Sequence, residues 1–509
     1  MALYKDLIET KTNQLIPVLA NGKTVESRYN PENEANRAVI ELKNDTGFLL
    51  ILGIAGGNLI KAYLNKYPEL FVLGIEQNNE DLEFLKKIPQ IQELLENKRF
   101  AATSIDNLSD KMISAYVPSV HGNISIVENH VWCQENPESK NEIIEIFKKT
   151  IKQISADFSV QAHFGKIWQD NIIKNLISFN EISNSKIQSP DISKTAVIIA
   201  AGPTLDSKIS FIKENRKDFC IISTDTAFST MLKNNIESDY VVSIDGQSIS
   251  STHFIHNNSD FSKTTFIFDL CANHSAVESL IKKKGNIIFA NTGHPLSEFI
   301  SNKANADLMK LYSGSGTVTI AALDFAIKTG FKKINVIGAD FSYSKGKPYA
   351  KGTYLDQIYA EKSSKFDSLE KQFSKLMYRT PLINISETKF TTEVLNSYKI
   401  SFENYLESCN CTYTKNSDIY EICSERITDE RAFKKGMPVN LDDFFKLFEN
   451  SYINFQKKDN DFSIFSLTNE EICFLPLISW LRNYENINNR KFKDYLNISY
   501  QNILRYKNI

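Results

Sequence analysis

The chain has no cysteine framework, no long apolar run and almost no net charge, and each absence removes a class of function. Seven cysteines are scattered through 509 residues. An odd number argues against a set of disulfides, and none of them falls at metal-ligand spacing. Cys409-Asn-Cys411 is too tight for a zinc knuckle. A net charge of −2 gives no general attraction to nucleic acid or to an anionic membrane surface. The longest apolar run, Gly47 to Ala55, is far too short to cross a bilayer. The first residues, Met1-Ala-Leu-Tyr-Lys-Asp6, carry an acid where a secretory signal has its apolar core. No internal repeat or low-complexity tract stands out. The expectation is a cytoplasmic protein of two to four domains with reduced thiols, no membrane span and no nucleic-acid partner.

What is present is a series of apolar runs that end in polar or acidic residues. Thr195-Ala-Val-Ile-Ile-Ala-Ala-Gly-Pro-Thr-Leu-Asp206 reads as a buried strand, a sharp Gly202-Pro203 turn, and a helix capped by Thr204 or Asp206. Phe219 to Ser223 leads into Thr224-Asp225, and Tyr240 to Ile244 into Asp245. Phe266 to Phe268 leads into Asp269, Asn286 to Ala290 into Asn291, and Ile334 to Ala339 into Asp340. Helical stretches separate most of these runs, which predicts an α/β domain with a doubly wound, Rossmann-like parallel sheet. Ligands of such sheets sit outside the carboxyl ends of the strands. Gly202, Thr224, Asp225, Asp245, Ser315 and Asp340 are therefore expected on one rim. Ser313-Gly-Ser-Gly-Thr317 opens a helix rich in small residues. Gly314 and Gly316 permit close backbone approach to an anion, and Ser313, Ser315 and Thr317 can cap the helix.

Three segments are expected: 1–185, 186–355 and 356–509. The first contains Gly47-Phe-Leu-Leu-Ile-Leu-Gly-Ile-Ala-Gly-Gly-Asn58, a strand running into a Gly-rich turn, and a second strand ending at Glu76. The acid lies at the spacing at which such folds meet a ribose. The pattern resembles the first motifs of methyltransferases that use S-adenosylmethionine, yet no methyl-acceptor chemistry follows. It is read as a smaller Rossmann-like unit whose own ligand is left open. His121 and His130 flank its last strand and are read as structural. From 140 to 185 an amphipathic helix puts Trp168, Asn171 and Asn175 on one face. The last segment is predicted helical. Its aromatic-rich stretches, Leu441 to Glu449 and Glu471 to Leu504, form either their own core or a face for a protein partner.

Residues 165–355 resemble the motility accessory factor (Maf) family of flagellin glycosyltransferases. The resemblance is carried by Trp168-Gln-Asp-Asn171-Ile-Ile-Lys-Asn175, Ala201-Gly-Pro-Thr-Leu-Asp206 and Asp239-Tyr-Val-Val-Ser-Ile-Asp245. It continues through Ser313 to Thr317, Ala322 to Phe331, Val336 to Tyr343, and Lys347-Pro-Tyr-Ala-Lys-Gly352. The same core is similar to archaeal 6-hydroxymethylpterin diphosphokinases (MptE-like proteins) and to bacterial sialyltransferases. The Maf resemblance implies a metal-independent glycosyltransferase needing no cofactor. Its donor would be a CMP-activated nonulosonic acid of the pseudaminic or legionaminic type, and its acceptor a Ser or Thr of flagellin or another secreted protein, in support of flagellum assembly and motility.

On this reading Gly202, Pro203, Thr204, Thr224, Asp225, Asp245, Asp340 and the Ser313–Thr317 turn contact the donor. The helix N-terminus steadies negative charge on the leaving phosphate. Tyr343 and Tyr349 lie where similar sialyltransferases place phosphate-binding tyrosines. Those enzymes also have a histidine base after the tyrosines, and this chain has none there. Asp245, Asp340 and His294 remain as candidate bases. Two alternatives stay open. One is an ATP- and Mg²⁺-dependent pyrophosphotransferase acting on 6-hydroxymethylpterin or a related small alcohol. The other is a nucleotide-binding protein without catalysis.

Overall fold

The computed structural model describes residues 3–182, 189–255, 260–314, 316–344, 346–416, 418–425, 436–457, 467–484 and 491–507. The chain divides into two compact units, Met1–Lys166 with Lys446–Ile509, and Ile167–Phe445.

In the first unit β1 (Tyr4–Glu9) and β2 (Leu15–Leu19) form an antiparallel ribbon. β3 (Thr46–Leu52), β4 (Phe71–Glu76), β5 (Phe100–Ser104) and β6 (Asn123–Glu128) form a parallel sheet in the order β5-β4-β3-β6. Phe48 to Leu52 is buried throughout, as a strand covered on both faces requires. The aromatics of the last helices are core. Phe448, Phe455, Phe474 and Phe492 are buried, and Tyr452 stacks on Tyr500 with ring centres 4.1 Å apart. Of the two readings of this stretch, burial supports a core rather than a docking face.

The second unit is built on a nine-stranded sheet. The six expected strands are all present as β7 (Thr195–Ile199), β8 (Phe219–Thr224), β9 (Tyr240–Ser243), β10 (Thr265–Asp269), β11 (Asn286–Asn291) and β13 (Lys333–Ile337). Two-residue β12 (Met309–Lys310) extends one edge. β14 (Tyr343–Ser344), β15 (Ile383–Ser386) and β16 (Lys389–Thr391) form a separate small sheet. The hairpin β17 (Thr412–Asn416) and β18 (Ile419–Cys423) adds to β13 antiparallel, giving the order β12-β11-β10-β9-β8-β7-β13-β18-β17.

The two units are cut differently from the three expected segments, in three places. The later part of the helix Pro137–Ile182 belongs with the second unit, because Asn171 and Asn175 bond to its loops. The expected all-helical segment after 355 supplies β17 and β18, whose alternation buries Tyr420 and Ile422 against that sheet. Residues 446–509 belong instead with the first unit, where Arg482 forms a two-pronged ion pair with Asp45. No helix among the described residues is long and apolar enough to cross a membrane.

Candidate functional site

β8 to β12 are laid down on one side of β7, and the chain then returns to place β13 on the other side. β7 and β13 are neighbours at this switch point, the position at which doubly wound sheets bind ligands. Gly202 N–H donates to Gly338 O at 2.8 Å. A Cβ on Gly202 would stand 2.4 Å from that oxygen. One on Gly338, at φ +75°, would stand 2.2 Å from Ala200 O. Two glycines thus let the strand ends pass in direct contact. Just beyond them, the Asp340 carboxylate accepts the Thr204 N–H (2.8 Å) and the Thr204 hydroxyl. Burial raises the Asp340 pKa, and these two bonds pull it back. Ala350 N–H donates to Ala201 O, and Lys351 N–H to Asp206, each at 2.8 Å. Gly202, Pro203, Thr204, Asp340 and the segment carrying Tyr349 are thereby brought together.

The helix Val318–Thr329 packs on β7, β8 and β9 and connects β12 to β13. As a crossover between parallel strands, it points its N-terminus to their carboxyl ends. Thr317 is its N-cap, but the side chain makes no capping bond. Gly316 and Thr317 N–H groups instead fold back on Ser313 O, each at 3.0 Å. Gly314 is packed by Ile320, whereas Gly316, at φ +85°, has no atom within 4 Å of where a Cβ would lie. Ser315 lies outside the described residues. Thr204 and Asp206 do not cap a helix either. The short turn Pro203–Ser207 has Gly202 at its cap position, with no side-chain cap.

The rim acids have a use that spacing did not reveal, because most of them tie one loop to its neighbour. Asp225, buried behind Thr224, accepts the Thr226 N–H (2.7 Å) and the Ser243 hydroxyl of β9 (2.8 Å). Asp269 is buried and accepts the N–H groups of Cys271 and Thr292, both at 2.7 Å. Asp340 does the same for Thr204. Asp245 is half-exposed and bonds within its own loop, to Gln247 N–H (2.9 Å) and the Ser250 hydroxyl (2.7 Å). Of these four, Asp245 and Asp340 are the two that are part-exposed. Asn171 and Asn175 clamp the loops from behind, with bonds of 2.8–3.1 Å to the carbonyls of Gly246, Leu270, Cys271 and Ala272.

Tyr343 is half-buried and Tyr349 is about one-third exposed (36%). Burial raises the pKa of both phenols, and Tyr354, Tyr343, Asp225 and Tyr398 act on Tyr349 electrostatically. Sequence spacing missed His253. It is buried, meets Tyr354 edge-on with ring centres 4.5 Å apart, and feels Asp225 and Asp245. Burial holds its pKa below the ordinary value. The hydroxyl of Thr353, the residue before Tyr354, is fully buried, with no hydrogen-bond partner among the described residues. No sequence motif marks either position.

His294 has a structural task. Its Nδ1 accepts the Leu296 N–H at the start of the helix Pro295–Asn302, its ring meets Trp168 edge-on, and burial pushes its pKa down to about 3. A base that weak suits proton abstraction poorly. Between pH 6.5 and 3 the unfolded chain takes up a proton that the folded chain refuses, so stability falls as pH drops through that window. The loss is expected to reach roughly 2–3 kcal/mol by pH 4.5. His294→Asn keeps a capping acceptor and should flatten this dependence in calorimetric melts at pH 7 and 4.5. An unchanged slope would contradict the assignment.

The Gly-rich turn of the first unit is already filled by the protein itself. Glu76 is buried and accepts the N–H groups of Ile54 (2.7 Å) and Ala55 (3.1 Å), the Tyr4 hydroxyl and the Trp132 ring N–H (both 2.9 Å). Glu26 accepts Asn58 N–H and Nδ2 (3.2 and 3.0 Å) at the N-terminus of the helix Asn58–Lys66, where a cofactor phosphate would lie. The acid expected to meet a ribose meets the turn instead. Among the described residues, no group of three or more His, Cys, Asp or Glu side chains could hold a metal ion.

Comparison with known proteins adds the following. The family model described as 6-hydroxymethylpterin diphosphokinase MptE-like matches residues 168–346. Two uncharacterised proteins of Treponema pallidum (strain Nichols) are 39% identical over 145 residues and 35% identical over 148 residues. These alignments cover 28% and 29% of this chain, and the chain spans 51% and 70% of those proteins. A third protein of the same organism is 24% identical over 380 residues, covering 70% of this chain and 63% of its own length. The chain thus spans about half the length of the first relative. The solved MAf glycosyltransferase from Magnetospirillum magneticum AMB-1 aligns over 98% of this chain and 90% of its own, with 14% identity and a TM-score of 0.48. Residues 168–346, which carry the Gly202 and Gly316 bends and the Asp340 tie, are thus an MptE-like domain.

Proposed function

We propose that the chain is a glycosyltransferase that moves a nonulosonic acid from its CMP-activated form to a Ser or Thr hydroxyl of flagellin or another secreted protein, in the cytoplasm. The observation that carries this reading is the Gly202–Gly338 crossing. It ties the Thr204 turn to the segment carrying Tyr349 at the carboxyl end of the sheet, the end to which the helix after Gly316 also turns its N-terminus, which supports a shared ligand crevice there. The cytidine moiety would lie along Gly202 to Thr204, with Asp245 and Thr224 toward its ribose or base.

As the glycosidic bond to the phosphate breaks, positive charge grows on the sugar and negative charge on the leaving CMP. The positive end of the helix Val318–Thr329 and the phenols of Tyr343 and Tyr349 would stabilise that anion by about 2–4 kcal/mol. Backbone dipoles and phenols then do what a cation does elsewhere, so the reaction needs no metal. The acceptor hydroxyl must lose a proton. Asp245 and His253 are the acceptors at hand, the latter neutral because burial lowers its pKa.

The description of the matched family favours a second reading, transfer of pyrophosphate from ATP to a small alcohol. Calorimetric titration with CMP and with ATP, each with and without Mg²⁺, separates the two. The glycosyltransferase reading predicts CMP binding that survives a chelator. Binding of ATP alone, and only with Mg²⁺, would establish the kinase reading instead. Flagellin of unchanged intact mass in a deletion strain would remove flagellin as the acceptor.

A further inference from the structure

The first unit closes the end at which Rossmann-like sheets bind ligands and opens the opposite one. At the amino ends of β3 and β4 lies a cavity of about 360 Å³, within the range of small-molecule sites. Its walls carry Lys43, Lys491, Lys493 and Arg482 against two carboxylates, Asp45 and Glu69. Both carboxylates are already paired. Arg482, whose side chain is 7% exposed, holds Asp45 through two bonds of 2.7 and 2.8 Å and donates its other N–H groups to Ser119 O and Val120 O. Lys491 pairs with Glu69 at 2.9 Å. Lys43 and the half-buried Lys493 have no ion-pair partner among the described residues. Between the charges the wall is apolar and aromatic, with Phe71, Phe492 and Tyr67.

We propose that this cavity binds a small phosphate ester with an apolar or ring-shaped body. Lys43 and Lys493 would neutralise the phosphate, the Arg482–Asp45 pair would keep the wall rigid, and the rings would cover the body. Two uncompensated ammonium groups match a dianion, and charge-assisted bonds to phosphate are strong where water is partly excluded. The proposal is independent of the donor site in the other unit.

Calorimetric titration of the full chain with phenyl phosphate and with inorganic phosphate tests it. Phenyl phosphate is expected to bind saturably and more tightly than inorganic phosphate. Its affinity should fall on the order of tenfold in the Lys43→Glu/Lys493→Glu double variant and stay unchanged in Gly316→Val. The milder Lys43→Gln/Lys493→Gln pair, which should melt like the parent, guards against a folding effect. No saturable heat, or affinity unchanged in both double variants, would overturn the proposal. Loss in Gly316→Val would move the ligand to the switch-point crevice and overturn it equally.

Discussion

Replacing Gly316 with Val is expected to weaken CMP binding by about 100-fold, equivalent to about 2.7 kcal/mol, while the protein still folds. The added Cβ meets no described atom within 4 Å apart from its chain neighbours. It would project into the space that the anion must enter. Holding a β-branched residue at φ +85° costs roughly 1–3 kcal/mol of local strain, which a turn at the surface of the unit can absorb. Circular dichroism should be unchanged, with a melting point lowered by a few degrees. Normal CMP affinity in this variant would remove the anion site from the Ser313–Thr317 turn.

Gly338→Ala should have the opposite profile, a large loss of stability from a single methyl group. Its Cβ would stand 2.2 Å from Ala200 O, a backbone atom fixed by the β7–β13 pairing, at φ +75°. The two strands must part for it to fit, which breaks the Gly202–Gly338 hydrogen bond and shifts Asp340 from Thr204. A loss of about 3–5 kcal/mol is expected, read from the melting transition of the second unit. Gly293→Ala is the control. That glycine has φ +106° and open space around its Cβ, so it shares the backbone strain without the collision. Equal destabilisation by the two variants would show that strain alone, and not the strand crossing, sets the cost.

The parallel sheet was legible in the sequence because its strands are covered on both faces. Ala196 to Ile199 and Phe266 to Phe268 are continuous apolar runs, and each ends where a loop begins. The hairpin β17–β18 was not legible. It lies at the sheet edge, its alternation spans only five residues per strand, and it follows a long helical stretch. The carboxylates were found, but not their tasks. Whether Asp225 meets a ligand or Ser243 depends on which strands become neighbours, and residue spacing does not encode that. Likewise, Glu26 lies far from Asn58 in the chain, so nothing local announced that the Gly-rich turn of the first unit would be filled by the protein's own carboxylate. The tyrosines illustrate a third case. Tyr349 was picked out by its place after Asp340, and the Ala350–Ala201 bond shows how the fold holds that segment against the Gly202 turn.

The central claim is that one nucleotide lies between the Gly202 turn and the Gly316 helix end. A crystal structure of the chain grown with CMP tests this most directly. The account predicts density for the phosphate at Gly316 and Thr317, and for the nucleoside along Gly202 to Thr204. Nucleotide density elsewhere, above all against Glu76 and the Gly-rich turn of the first unit, would contradict it.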